Sequence, residues 1–378
     1  MLWFMTPLAL VLLLLAVLRA PPGGSAASPG ISCYSDHGDP TDWFHLYKLP
    51  RLAHQLRSDG LQYLLMGPGS EGWAPGAVEV NDSAGALGRT VGQLYQQREA
   101  DEIAYILYND QKPKEEGSGF AVQHEKGHTK GVVLLDKTQG FWLVHSTPHF
   151  PPPKDEGEFA YPSTGEKNGQ NFLCVTYPLE RFQTIGEQLS INEPLIYDCS
   201  VPDSMASSLP SLAALCGKSW SEGSNASLPL SDPLSLVPSN RSVELASLAG
   251  TAFVSFAKGS SFENDLYHSW VAPALQSNLL VQFWHESAGV LPSDCSQNWE
   301  VLNVKTISLG SADEFMTTKD HSKWAVGTED ASGSWICVGD INRNEAEEKR
   351  GGGTVCHSNS AVWKAYRTAV VEYYPCEG

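Results

Sequence analysis

Apolar residues along this chain come in short dense runs, set apart by polar, glycine-rich and proline-rich segments. The clearest pair is Gly131-Val132-Val133-Leu134-Leu135 and Phe141-Trp142-Leu143-Val144, joined by Lys137-Thr138-Gln139-Gly140. Runs of this length, rich in β-branched and aromatic residues, read as strands buried on both faces. Residues 103–109, 172–177, 281–284 and 301–304 read the same way, and 252–257 as a strand or a helix. Residues 42–49 alternate loosely and form the first expected strand, stopped by Pro50, with 63–66 a short strand or turn. Helical spacing marks 84–98, where Leu87, Val91, Leu94 and Tyr95 share a face, and recurs in 179–189, 265–280 and the closing stretch 361–374. Residues 148–162 are proline-rich and irregular, while 111–119 and 340–353 are polar loops, the second ending in three glycines. Strands mixed with helices throughout predict a mixed α/β (α+β) class.

The same pattern divides the chain. The apolar run at 8–18 is eleven residues long, too short to span a bilayer, and Ser25-Ala26-Ala27 follows it. Residues 1–27 therefore read as a secretory signal peptide, with a soluble mature chain after it. Residues 28–200 form a first half, 201–240 a Ser/Pro-rich surface connector, and 241–378 a second half. Eight cysteines without a Cys-x-x-Cys point to disulfides rather than zinc. Asn81, Asn225 and Asn240 each open an Asn-x-Ser glycosylation acceptor.

Charge narrows the function. A formal charge of −18 at neutral pH opposes binding to a polyanion. Near pH 5 the eleven histidines gain protons and some carboxylates lose charge, and the sequence pI is about 5.0. An anionic substrate is therefore compatible with an acidic compartment.

Candidate chemistry lies in a repeated motif. His128-Thr129-Lys130 opens the first strand pair, and His321-Ser322-Lys323 recurs late in the chain. Trp142 follows His128 by fourteen residues, and Trp335 follows His321 by fourteen. A third copy, His124-Glu125-Lys126, has no matching strand at that offset. Two copies with a shared downstream strand predict two similar halves serving one site. Side chains two apart on a strand share a face, so each motif presents an imidazole beside an ammonium. Phosphodiester hydrolysis needs charge neutralisation, a nucleophile and a general acid. One histidine attacks phosphorus to form a phosphohistidine, and the other protonates the leaving oxygen and later activates water. Lys130 and Lys323 hold the non-bridging oxygens, and no metal-ligand or cofactor motif is recognisable. Trp142 and Trp335 read as core positions on their strands, His124, His149 and His285 as surface or structural histidines, and Arg343 and Arg350 as loop charge, either solvated or touching the substrate backbone.

Several blocks together resemble the deoxyribonuclease II family of the phospholipase D-like superfamily. They are Asp42-Trp43-Phe44 with Tyr47-Lys48-Leu49-Pro50, Leu107-Tyr108-Asn109-Asp110, Gly127 to Gly131, Gly140 to Ser146, Asp320 to Trp324, Gly339-Asp340 with Asn342-Arg343, and Arg350 to Gly353. The resemblance implies two phospholipase D-like halves, each a mixed sheet flanked by helices, paired about a pseudo-twofold with the site between them. It implies a lysosomal, acid-active, metal-independent endonuclease that cleaves double-stranded DNA and leaves 3′-phosphate and 5′-hydroxyl ends. His128, Lys130, His321 and Lys323 match the family motifs, His145 matches a further site histidine, and Asn342 sits where a polar residue touches the phosphate. The family's disulfides imply Cys33–Cys174, Cys295–Cys376 and Cys337–Cys356, and spacing pairs the remaining Cys199 with Cys216. Three departures stand beside these matches: Ala325 where a cysteine is expected, no asparagine in Asp294-Cys295-Ser296, and five residues rather than four between Lys130 and Asp136. Two other readings stay open: a related phosphodiesterase acting on lipid or oligonucleotides, and a secreted, non-enzymatic DNA-binding protein. Whether the protein is a monomer or a homodimer is also open.

Overall fold

The computed structural model describes residues 30–52, 59–96, 101–113, 126–221, 238–310, 314–330 and 333–376. The expected leader, Asn225 and His124 fall outside these. A two-stranded ribbon, β1 (Cys33–Tyr34) and β2 (Pro40–Thr41), precedes a sheet of eight strands. These are β3 (Trp43–Lys48), β4 (Tyr63–Met66), β5 (Ala74–Pro75), β6 (Ala104–Asn109), β7 (Lys130–Leu135), β8 (Gln139–His145), β9 (Gln170–Pro178) and β10 (Ile196–Ser200). They lie in the order β10-β6-β7-β8-β9-β3-β4-β5.

The second sheet contains β11 (Asn240–Ala246), β12 (Ala252–Lys258), β13 (Leu279–Gln282), β14 (Val301–Ile307), β15 (Phe315–Met316), β16 (Trp324–Gly327), β17 (Trp335–Gly339) and β18 (Gly352–Ser358). Its order is β11-β12-β18-β17-β16-β13-β14-β15, and β19 (Val370–Tyr373) pairs with β14. The protein is thus of the mixed α/β class.

Why the strands read as unbroken apolar runs is clear from the packing. The two sheets stack, and alternate residues of each strand enter one shared core. Val133, Leu135, Trp142, Val144, Leu173 and Val175 meet Leu280, Trp324, Val326, Ile336, Val338 and Val355 there. The opposite faces are covered as well. Val132, Leu134, Phe141 and Leu143 pack under α1 (Ala86–Gly92) through Leu87 and Val91. Val281, Ala325 and Cys337 pack under Tyr267, Val271 and Leu275. Period-two alternation is invisible in the sequence because both faces are dry.

The four disulfides join Cys33 to Cys174, Cys199 to Cys216, Cys295 to Cys376 and Cys337 to Cys356, as the resemblance and the spacing had indicated. Three expected elements differ. Residues 265–280 are not one helix: a π turn at Tyr267–Val271 runs into a single turn at Ala272–Leu275, and Gln276 in the left-handed region (φ 51°) ends it before β13. The closing helix stops at Ala369, because the β-branched pair Val370-Val371 is taken by pairing with β14. In the stretch read as a surface connector, residues Pro210–Ser221 form a helix. Met205, Leu209 and Leu212 are fully buried in the shared core, so this part is a packed element. Leucines three apart after a proline are a helix signal that the Ser/Pro-rich composition masked.

Candidate active site

His128 and Lys130 stand at the start of β7, and His321 and Lys323 just before β16. His128, Lys130 and Lys323 are buried, and His321 is half-buried. Glycines let the first motif, Asn192 and the 351 backbone come this close together. A methyl group on Gly127 would lie 2.0 Å from the Asn192 carbonyl oxygen, and one on Gly351 2.2 Å from the same atom. The His128 amide then donates to the Gly351 carbonyl at 2.8 Å, and the Lys130 amide to the Asp340 carboxylate at 3.3 Å. The second motif is held reciprocally by the first half. The His321 amide donates to the Gly169 carbonyl at 2.8 Å, and the Asn171 side chain brackets Lys323, accepting from its amide at 3.0 Å and donating to its carbonyl at 2.9 Å.

Around His128 the charges alternate. Its Nδ1 lies 2.6 Å from Glu347 Oε1, and its Nε2 3.9 Å from Asp110 Oδ2. Lys130 Nζ is paired with Asp110 Oδ1. Arg350 bridges the two acids, with Nη2 3.3 Å from Asp110 and Nη1 3.5 Å from Glu347. Burial alone would raise the Asp110 carboxyl, but Lys130, His128 and Arg350 hold it well below the usual range. Glu347 is likewise held low, burial being outweighed by His128 and Arg350. Burial pushes the His128 imidazole down, and Glu347 and Asp110 pull against that.

The surroundings of His321 differ. Its Nδ1 is 2.9 Å from the Ser146 carbonyl, an acceptor, so Nδ1 carries the hydrogen and Nε2 the lone pair in the neutral ring. Lys323 Nζ donates to the His321 carbonyl at 2.8 Å and lies 3.2 Å from the His321 Nδ1. Burial drives the His321 imidazole well below its ordinary value, and the charges of Lys323, Lys130 and His128 add to this. Lys323 is brought down to about 7 by burial and by Lys130. These mutual effects cross from one motif to the other, so both motifs occupy one electrostatic environment.

His145, at the end of β8, is fully buried, flanked by Phe172 and Phe150, and accepts from the Thr147 amide at 3.2 Å. Its Nε2 makes no hydrogen bond among the described residues. Burial and the Lys130 charge both lower it. Asn342 accepts from the Trp284 amide at 3.1 Å, and the Trp284 ring centroid is 5.4 Å from that of His321. Among the described residues no group of three or more His, Cys, Asp or Glu side chains is arranged to hold a metal ion. No helix among them is long and apolar enough to cross a membrane.

The sequence singles out neither Asp110 nor Glu347 as a site residue, and marks Arg350 and Arg343 only as loop charge, solvated or touching the substrate backbone. Both arginines are buried and paired, Arg343 with Asp265 at 2.7 Å. Asp110 ends an apolar strand, a position where a buried carboxylate signals a partner. Glu347 sits in Glu345-Ala346-Glu347-Glu348, where nothing local separates it from its neighbours.

Fold and site together define a mixed α/β protein whose two stacked sheets share one buried cluster of imidazoles, ammonium groups and carboxylates. The family model for Deoxyribonuclease II matches residues 32–376. The chain belongs to the deoxyribonuclease II family. It is 44% identical over 373 residues to Deoxyribonuclease-2-alpha of Sus scrofa, covering 97% of this chain and 94% of that one. It is 34% identical over 357 residues to Deoxyribonuclease-2-beta of Homo sapiens (94% of each), and 36% identical over 369 residues to Plancitoxin-1 of Acanthaster planci (96% and 97%).

Proposed function

We propose that the protein is an acid endonuclease that hydrolyses double-stranded DNA without a metal ion, through a phosphohistidine, and that it works in the lysosome after passing through the secretory pathway. The observation that carries this reading is the convergence of His128-x-Lys130 and His321-x-Lys323 in one buried cluster, each motif held by the other half. That reciprocity also supports two related halves about a pseudo-twofold. Lys130 and Lys323 meet the charge of the phosphodiester, and Asn342 steadies the loop beside it.

The unequal partners suggest unequal roles. Attack on phosphorus by His128 Nε2 forms the N–P bond and leaves a cationic ring, which Glu347 and Asp110 stabilise. His321, depressed by burial and neighbouring lysines, is a strong acid once protonated. It gives its proton to the 5′ oxygen as the P–O bond breaks, producing a 5′-hydroxyl. Neutral His321 then takes a proton from water, the oxygen attacks phosphorus, and the N–P bond opens to leave a 3′-phosphate. His145 supports the Ser146 carbonyl that orients His321. Asn81 is exposed and suited to glycosylation.

Plasmid cleavage at pH 5 in EDTA, with and without added Mg²⁺, tests the reading, and phospholipid vesicles serve as the alternative substrate. Cleavage in EDTA with ends that need phosphatase before polymerase extension is expected. Activity seen only with Mg²⁺ overturns the metal-free mechanism, and lipid hydrolysis without DNA cleavage favours the other phosphodiesterase reading.

A further inference from the structure

Two buried lysines outside the motifs occupy matching places in the two sheets. Lys48 is the last residue of β3 and pairs in register with Gln170 of β9. Lys258 is the last residue of β12 and pairs in register with Gly352 of β18. Both side chains are almost wholly buried, and both ammonium groups donate to backbone carbonyls. Lys48 Nζ donates to the carbonyls of Glu166, at 2.8 Å, and Asn168. Lys258 Nζ donates to those of Glu348, at 3.0 Å, and Arg350, at 2.6 Å, with Glu347 a third acceptor at 2.9 Å. Relative to the register partner, the shared acceptors lie four and two residues earlier in both cases.

The carbonyls so held belong to the segments that cradle the opposite motif. Residues 166–171 lead through Gly169 and Asn171, which bind His321 and Lys323. Residues 347–351 contain Glu347 and Gly351, which bind His128 at its Nδ1 and its amide. We propose that Lys48 and Lys258 are positioning residues, each fastening the backbone cradle in its own half that aims the other half's histidine. The physical reason for lysine is donor number at a single point: a buried ammonium offers three donors and no acceptor, so one atom can gather several converging carbonyls. The acidic groups facing Lys258 are Glu347, Asp265, Glu348 and Glu193, and its ammonium lies 5.8 Å from the Phe262 ring centroid. Around Lys48 they are Asp320, Glu166 and Asp59, with Arg51 opposing.

The inference rests on the nuclease reading above, so wild type and His128→Ala are run in the same assay, which separates failure of that reading from failure of this one. The test compares Lys258→Met and Lys48→Met in the full secreted protein, with steady-state DNA cleavage and NMR titration of histidine ring protons. Misaiming a reacting group costs on the order of 10²-fold, so kcat should fall by ~10²-fold with KM within about threefold. The NMR titration should be selective: Lys258→Met shifts His128 and leaves His321 in place, and Lys48→Met does the reverse. A kcat within about threefold of wild type, or identical effects on both histidines from either variant, overturns the proposal. If neither variant is secreted, hydrogen exchange on the wild type decides. The His128 and His321 amides should be protected like the centres of β7 and β16, and exchange at free-loop rates overturns the idea.

Discussion

Glu347→Gln separates charge from shape at the candidate nucleophile. The amide is isosteric and still accepts from His128 Nδ1, so what is lost is one negative charge 2.6 Å from the ring nitrogen. With charge centres about 4 Å apart and an effective dielectric near 20, that charge interacts with a cationic ring by about 4 kcal/mol. Asp110 remains, and Arg350 already offsets part of the Glu347 charge. The net loss in the transition state should therefore be about 2–3 kcal/mol, a ~30- to ~150-fold fall in kcat at 1.36 kcal/mol per decade. KM should stay within about threefold, because Glu347 lies buried behind His128. The pH profile gives a second readout. Glu347 raises the His128 imidazole, so without it His128 stays neutral to lower pH and the acid limb moves down. The assay is initial rate of plasmid nicking from pH 3.5 to 7 at fixed ionic strength, with thermal unfolding to confirm an intact fold. A rate within threefold of wild type, a loss confined to KM, or an acid limb that moves up refutes the assignment.

Replacing either His128 or His321 with alanine should cost at least ~10²-fold in cleavage while the protein remains secreted, since each supplies a separate nucleophilic or acid step; residual activity within about tenfold argues against a shared site. The profile of kcat/KM should be a bell centred near pH 5, within about one unit. His321 is depressed below the ordinary ~6.5, so the acid form is lost as pH rises, and an optimum at or above pH 7 contradicts both the shared proton and the acidic compartment. The core pair His45 and His357, with Nε2 atoms 3.0 Å apart, should make the fold less stable in acid. Burial brings His357 down to about 4, so the unfolded chain binds a proton the native state refuses, and stability falls as pH drops from ~6.5 to ~4, by at most about 3 kcal/mol. Urea unfolding at pH 7 and 4.5 checks this, and a His357→Gln variant with an unchanged pH slope rules it out.

Much of the protein was legible in the amino-acid order. Unbroken apolar runs such as Val132 to Leu135 located the strands, because a strand dry on both faces needs no polar positions. The repeated His-x-Lys with tryptophan fourteen residues on named the four residues that the fold brings together. The cysteine pairings followed from the resemblance. What the sequence left undetermined is whatever depends on distant partners. The last turn of the expected closing helix became β19 because an edge of β14 was open to pair with it. Leu212 and Leu215 are buried only because α2 (Arg181–Asn192), which contributes Ile185 and Leu189 to the same core, packs against their helix. Glu347 and Arg350 look like any charged loop until the chain is folded, and their part in the site comes from lying beside Asp110 and His128, more than two hundred residues earlier. Local propensity and pattern are properties of neighbours along the chain. Desolvation and charge pairing are properties of neighbours in space, and these decide which titratable groups can work together.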